Sequence, residues 1–326
     1  MSTSYELISL DNDSPAGVAA ATAIWNAACG DDLAISERMM RYNLHPSSGG
    51  RSAARIALRD GEPAGFVVVT TLYADPSVSA KELGWIDALA VLPEAQRRGI
   101  GSALLAWAED WLVEQGCQAA AIGAGLRQFL PGVPVELETA AFFSQHGYIG
   151  DTLDAPPADQ TWDVAADLSR YTPPPSVHAL DASVRPVQPR DKEAVLEFLY
   201  REFPGRWRYE FEENLRGGGR ISDYMALWTE RGVDGCCVLT FEDSLRPIER
   251  YYPYRLPRPW GQLGAIGISA DRRGQGYGAL LLDGGLRRLH NSGVNGCVID
   301  WTNLVDFYGK FGFTPYRRYL QLHKPL

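Results

Sequence analysis

Two short stretches decide the fold: Gln96-Arg97-Arg98-Gly99-Ile100-Gly101 and Arg273-Gly274-Gln275-Gly276-Tyr277-Gly278. Each follows an apolar run, Ile86-Asp87-Ala88-Leu89-Ala90-Val91 in one case and Leu263-Gly264-Ala265-Ile266-Gly267-Ile268 in the other, and each leads into a segment rich in Leu and Ala. Runs and loops recur at one separation, 177 residues (Gln96 to Arg273), which marks a duplicated strand-loop-helix unit. A glycine loop that opens a helix presents unpaired backbone N–H groups and the positive end of the helix dipole, and both favour a phosphate or pyrophosphate. Neither copy ends in the Gly-Lys-Ser/Thr of a nucleoside-triphosphate loop. Neither has Gly-x-Gly-x-x-Gly with an acidic residue about 20 positions later, which excludes a dinucleotide fold.

Working outward, Phe142-Phe143-Ser144-Gln145-His146-Gly147-Tyr148 answers Phe307-Tyr308-Gly309-Lys310-Phe311-Gly312-Phe313 at a separation of 165 residues (Phe142 to Phe307). The first copy therefore carries an insertion, expected around Phe129-Leu130-Pro131-Gly132-Val133-Pro134. Upstream, Tyr5–Leu10 reads as a strand, and a helix starts at Ser14-Pro15 with Ser as cap and Pro at the first helical position. Strands are expected at Ala54–Leu58 and Gly65–Leu72, joined by the turn residues Asp60-Gly61-Glu62-Pro63. The second half repeats the plan: a strand at Val184–Val187, a helix at Asp191–Phe203, and strands at Met225–Thr229 and Val233–Thr240. Three consecutive prolines in Tyr171-Thr172-Pro173-Pro174-Pro175-Ser176 exclude helix interior and central strand and mark a linker. The expected organisation is a first domain over 1–171, a linker over 172–182 and a second domain over 183–326, within an α/β class.

The 326 residues suit two domains, and 45 % hydrophobic with 22 % charged residues is the composition of a globular chain, not of a disordered or fibrous one. Asp plus Glu outnumber Lys plus Arg, 40 to 31, for a net charge of −9, which argues against a nucleic-acid binder. Cys29, Cys117 and Cys297 stand alone and Cys236-Cys237 are adjacent, which is neither a disulfide nor a metal pattern; they read as small buried hydrophobes in a reducing compartment. Met1–Leu10 lacks the basic-then-apolar sequence of a secretory signal, and no stretch approaches the roughly 18 apolar residues of a membrane span. A cytoplasmic protein without metal, membrane or nucleic-acid partner is expected.

The pattern Gln/Arg-x-x-Gly-x-Gly between an apolar strand and a helix, present twice, resembles the pyrophosphate loop of the GNAT family of acetyl-CoA-dependent N-acetyltransferases. The resemblance spans nearly the whole chain. It implies two consecutive domains, each a mixed twisted sheet flanked by helices, within one chain that acts as a pseudo-dimer. It also implies acetyl-CoA as cosubstrate and a small-molecule amine as acceptor, with both loops, Gln96 to Gly101 and Arg273 to Gly278, as cofactor sites. In that family a tyrosine on the later helix protonates the departing thiolate. Tyr308 matches it, whereas the first half has Phe143, which has no hydroxyl; the second domain is the expected catalyst and the first a degenerate partner. Beside that role stands the plainer one of a core aromatic.

Backbone amides of Ile266, Gly267 and Ile268 are expected to line the splay between the fourth and fifth strands. The carboxylate that many members carry on the fourth strand is absent from Leu263-Gly264-Ala265-Ile266, although the first half has Asp87 there. Asp300, after the apolar Cys297-Val298-Ile299, is the candidate base; it is also a candidate N-cap of the next helix. Trp207 and Trp301 suit the apolar face of a sugar ring, or else a domain interface. The Phe129–Pro134 segment together with Asp300-Trp301-Thr302 and Asp306-Phe307-Tyr308-Gly309-Lys310 looks similar to tandem family members that acetylate glucosamine or glucosaminides. Another acceptor, as in mycothiol-synthase-like or antibiotic-acetylating enzymes, and a non-catalytic acyl-CoA-binding module are the alternatives.

Overall fold

The computed structural model describes residues 5–175 and 177–326, so Met1–Ser4 and Ser176 of the proline-rich stretch lie outside it. The chain forms two compact units: one runs to Thr161 and takes in Arg318–Leu326, the other is Trp162–Arg317.

In the first unit come β1 (Tyr5–Ser9), α1 (Pro15–Cys29), α2 (Glu37–Leu44), β2 (Gly50–Arg59), β3 (Glu62–Leu72), β4 (Leu83–Val91), α3 (Ile100–Glu114), β5 (Ala119–Ile122), β6 (Val133–Pro134), α4 (Ala140–Gln145) and β7 (Ile149–Gly150). The Ser14 hydroxyl caps α1 by accepting the Gly17 N–H at 3.2 Å, with Pro15 at the first helical position. In the second unit come β8 (Thr161–Asp167), β9 (Ser183–Pro186), α5 (Lys192–Glu202), α6 (Arg206–Arg216), β10 (Tyr224–Thr229), β11 (Gly232–Phe241), β12 (Trp260–Ile268), α7 (Tyr277–Asn291), β13 (Gly296–Thr302) and α8 (Val305–Gly309). The chain closes with β14 (Thr314–Leu320) and β15 (Leu322–Pro325).

The first sheet has the order β1-β2-β3-β4-β5-β15-β7, and the second runs β6-β14-β8-β13-β12-β11-β10-β9. Both are mixed: β4–β5 and β12–β13 are parallel, while their other ladders with assigned register are antiparallel. On one face of the first sheet, Leu104, Leu105, Ala108 and Leu112 of α3 pack on Val67, Val69 and Ile86; α7 repeats this with Leu281, Leu282, Leu286 and Leu289 over Cys237, Leu239 and Leu263. A second cluster in the second unit joins Val195, Phe198 and Leu199 of α5 and Phe211 of α6 to Tyr224 and Ala226. All five cysteines are free, and four are buried; Cys29 is only half-buried.

Each sheet borrows a strand from beyond its own half of the sequence. β15 pairs with β5 (Ala121 opposite His323) and β8 pairs with β13 (Gly296 opposite Asp167). The boundary is therefore at Thr161/Trp162, not at the prolines. The expected linker packs on the second unit: the Tyr171 hydroxyl donates to Asp283 Oδ1 at 2.9 Å, and Val177, Leu180 and Ala182 lie against the core beneath α7. Proline bars that segment from the sheet but not from packing.

Candidate active site

The β12–β13 ladder stops at Gln262 opposite Val298, while β12 continues to Ile268 and β13 to Thr302, so the two strands part. Between Cys236 and Val238 the β11–β12 register shifts, and Ala265 has φ +44°, a bulge that bends β12 at this point. Ile266, Gly267 and Ile268 lie on β12 beyond its ladder with β13. A Cβ on Gly267 would fall 2.3 Å from Phe203 Cζ and 2.6 Å from Trp207 Cζ3, so only glycine admits these rings onto the strand. Phe203 and Trp207 stack with centroids 4.5 Å apart.

Beyond Ile268 the chain makes a short turn, Ala270–Arg272, and then Arg273 to Gly276 lead into α7. Gly274 and Gly276 have φ +74° and +93°; Gly276 is the N-cap, and no side chain caps the helix. The first unit matches this geometry, with Arg97 at φ +60°, Gly99 at +83° as N-cap, and α3 as long as α7 at 15 residues. Gln96 Nε2 donates to the Val91 carbonyl (3.1 Å) and Gln275 Nε2 to that of Asp271 (2.9 Å). A Cβ on Gly99 or Gly274 meets nothing within 4 Å, and one on Gly276 only Leu180 Cδ1 at 3.6 Å. These N-termini fit a pyrophosphate: the orphan N–H groups are uncapped and the face in front of them is open. Ile100 and Tyr277 are buried, so what those positions can offer a ligand is backbone.

Across the splay, Asp300 is not a helix cap. Gln262 Nε2 donates to its Oδ1 at 2.7 Å, and the Thr240 hydroxyl donates to Gln262 Oε1 at 2.8 Å. Burial pushes the Asp300 carboxyl above its ordinary value, opposed by Arg250, Gln262 and Arg246. Glu210 of α6 bonds Arg206 Nε (2.6 Å) and Arg246 Nη1 (3.3 Å). Burial alone would raise Glu210, but Arg246, Arg206 and Arg250 outweigh it and bring the carboxyl down to about 2. Trp301 is 37 % exposed, and the Arg206 guanidinium lies 4.9 Å from its ring centroid. Tyr308 is buried, and its phenol is pushed well up by burial and by Asp300. Its phenol is thus protonated at neutral pH.

The first unit departs here. Its β4–β5 ladder ends at Ile86 opposite Ile122, and the inserted segment turns back into the gap. Asp87 accepts the Thr70 hydroxyl at 2.5 Å and the Gly125 N–H at 3.1 Å; Asn43 Nδ2 holds the Gln128 carbonyl at 2.9 Å; Phe129 is fully buried, 5.2 Å from Trp25. The insertion falls where the repeat spacing placed it, between β5 and α4, and its Gly125 closes on Asp87 just past the end of the β4–β5 ladder.

Gln262, Glu210, Arg246 and Arg250 were not singled out in the sequence. A glutamine inside the apolar Trp260-Gly261-Gln262-Leu263 was the available signal for the first; the i,i+4 Arg206–Glu210 spacing on a helix reads equally as an exposed surface pair.

The Acetyltransferase (GNAT) family profile matches residues 21–126 and 192–313. The chain belongs to this family. Among curated proteins none matches the chain. Of solved structures, a glucosamine N-acetyltransferase region of a fungal multi-domain GH3 β-N-acetylglucosaminidase is similar at 23 % identity and TM-score 0.87, over 98 % of this chain and 38 % of that one. The chain thus spans well under half the length of that protein. A tandem GNAT protein from the clavulanic acid biosynthesis pathway is similar at 18 % identity and TM-score 0.71, covering 99 % and 98 %. A GNAT protein of Sphaerobacter thermophilus follows at 17 % and 0.65, covering 98 % and 95 %. At these identities the likeness is one of fold, and it extends to the tandem arrangement. No helix among the described residues is long and apolar enough to cross a membrane.

Proposed function

We propose that the second unit is an acetyl-CoA-dependent N-acetyltransferase acting on the primary amine of an amino sugar, glucosamine or a glucosaminide, and that the first is catalytically degenerate. The observation that carries this reading is the contrast between two similar loops: in the second unit Asp300 and Trp301 follow the point where β13 parts from β12 and Trp207 lies on Gly267, whereas in the first the inserted segment closes on Asp87 through Gly125 and buries Phe129.

The thioester of acetyl-CoA supplies the activated acyl group, with its pyrophosphate on the amides of Arg273 to Gly278. Those N–H groups of Ile266–Ile268 that lie on the edge parted from β13 would be the donors for its carbonyl. Asp300, raised by burial, would take one proton from the acceptor ammonium; after the amine attacks and the C–S bond breaks, the Tyr308 phenol would protonate the departing thiolate, and the second proton lost from nitrogen would restore the phenol. The faces of Trp207 and Trp301 suit the apolar side of a pyranose, and the Arg206, Arg246 and Arg250 cluster suits its oxygens. The loop of the first unit, Gln96 to Gly101, keeps the conformation for a second acetyl-CoA without a place for an acceptor.

The test is thiol release from acetyl-CoA with amino sugars, aminoglycosides, polyamines, amino acids and peptides. Glucosamine-type amines should turn over, and Tyr308→Phe should lower kcat by about 10²-fold with the KM for acetyl-CoA unchanged. Turnover of peptides alone refutes the acceptor; wild-type kcat in Tyr308→Phe refutes the acid; no release with any amine supports a binding module instead.

A further inference from the structure

Along the β8–β13 ladder, Ile299 faces Val164 and Thr302 faces Trp162, so Asp300 and Trp301 together oppose the single residue Asp163. This is a β-bulge. Trp301 has φ +51°, a conformation foreign to a bulky side chain, and its N–H donates to Asp163 Oδ1 at 2.9 Å. Asp163 is 2 % exposed.

In an even strand, neighbours point to opposite faces. Here both serve one cluster: Asp300 accepts from Gln262 and lies in the field of Glu210, Arg246 and Arg250, while Trp301 lies against Arg206, itself bonded to Glu210. Bulges re-aim side chains in this way, and a strained residue persists only where its surroundings hold it.

We propose that Asp163 is a positioning residue for the acceptor site: its carboxylate holds the Asp300–Trp301 bulge and thereby presents the base and the aromatic platform to one acceptor. The proposal rests on the reading of Trp301 as an acceptor-binding residue. It places a determinant of the second unit's specificity on β8, a strand outside the 183–326 segment that carries the other site residues.

The experiment is a double-mutant cycle in the full chain, read as the acceptor KM and kcat with glucosamine. Asp163→Ala should raise the acceptor KM about tenfold while the KM for acetyl-CoA stays within about twofold, and Asp163→Asn, which keeps an oxygen acceptor, should restore it. Trp301→Gly, at ease at positive φ, should itself raise the acceptor KM, and in that background Asp163→Ala should add nothing. The Trp301 indole resonance, assigned through Trp301→Phe, should shift in Asp163→Ala without any acceptor present. Equal effects of Asp163→Ala in both backgrounds, or an unshifted indole, overturn the positioning role and leave the acceptor reading standing. A wild-type acceptor KM in Trp301→Gly overturns the acceptor reading and the proposal with it. Asp163→Ser, one carbon shorter, takes the place of Asp163→Ala in the cycle if the alanine variant does not fold.

Discussion

Replacing Gln262 by Met isolates the environment of the proposed base. Gln262 is 1 % exposed and stands between two partners, receiving the Thr240 hydroxyl at 2.8 Å and donating to Asp300 Oδ1 at 2.7 Å. Met fills much the same volume without a donor. Burial raises the Asp300 carboxyl, and the Gln262 N–H works against that by favouring the charged form. A hydrogen bond to a charged group contributes about 1.5–3 kcal/mol, and about 1.4 kcal/mol corresponds to one pH unit, so losing it should move the acidic limb of the rate profile about 1–2 pH units toward alkali. The assay is the pH dependence of kcat/KM for the acceptor, which reports groups of the free enzyme and free substrate. The acceptor's own ammonium contributes a limb that the substitution cannot move, so a second acceptor with a less basic amine identifies which limb belongs to Asp300. Asp300→Asn should abolish the limb that Gln262→Met displaces. A Gln262→Met profile superimposable on wild type, or one lowered by the same factor at every pH, would refute the placement of Asp300 as the base.

Gly276→Ala forces a Cβ onto φ +93° at the loop's open face, and acetyl-CoA binding by calorimetry should weaken about tenfold, from about 1–2 kcal/mol of strain. The matching Gly99→Ala should leave turnover within about twofold, and equal losses from both would reverse the assignment of the catalytic unit. Glu210, held at about 2 against an ordinary 4.5, contributes stability that is present above 4.5 and lost as the pH falls from there toward 2. Thermal unfolding of Glu210→Gln should show a shallower loss of Tm across that interval, and an unchanged slope would refute the Arg–Glu210 account.

The loops, their helices and the insertion could be read from the sequence because each depends on residues close in the chain. Gly99 and Gly276 are what a left-handed N-cap demands, and Ser14-Pro15 is what a helix start demands. The base candidate was legible as the polar end of an apolar strand. What supports it was not: Gln262 meets Asp300 because β12 and β13 run parallel up to that residue, a long-range pairing without local signature. Trp301 at positive φ contradicts its own residue preference, and its cause, Asp163, arrives on a strand from the other half of the chain. The unit boundary was misplaced for a related reason. Three prolines advertise a break in regular structure, whereas the true division follows the pairing of β8 with β13, which no compositional shift announces.

The exchange of strands also sets an order of events during synthesis. On the edge away from β4, Ala119, Ala120 and Ala121 of β5 pair with Pro325, Lys324 and His323, made after the whole of the second unit. Until β15 leaves the ribosome, the first unit holds an unsatisfied strand edge, with Ala120 and Ile122 denied the cover of Leu322. Such an edge invites pairing with another chain, and long-range closure of this kind is slow. A nascent chain therefore cannot mature its first unit before its second has been made; the first sheet closes only after Trp162–Arg317. Lys324, whose ammonium lies 2.7 Å from Glu109 Oε2 on α3, is part of that seal, so damage confined to β15 would be felt in the first unit, on the far side of the second in sequence.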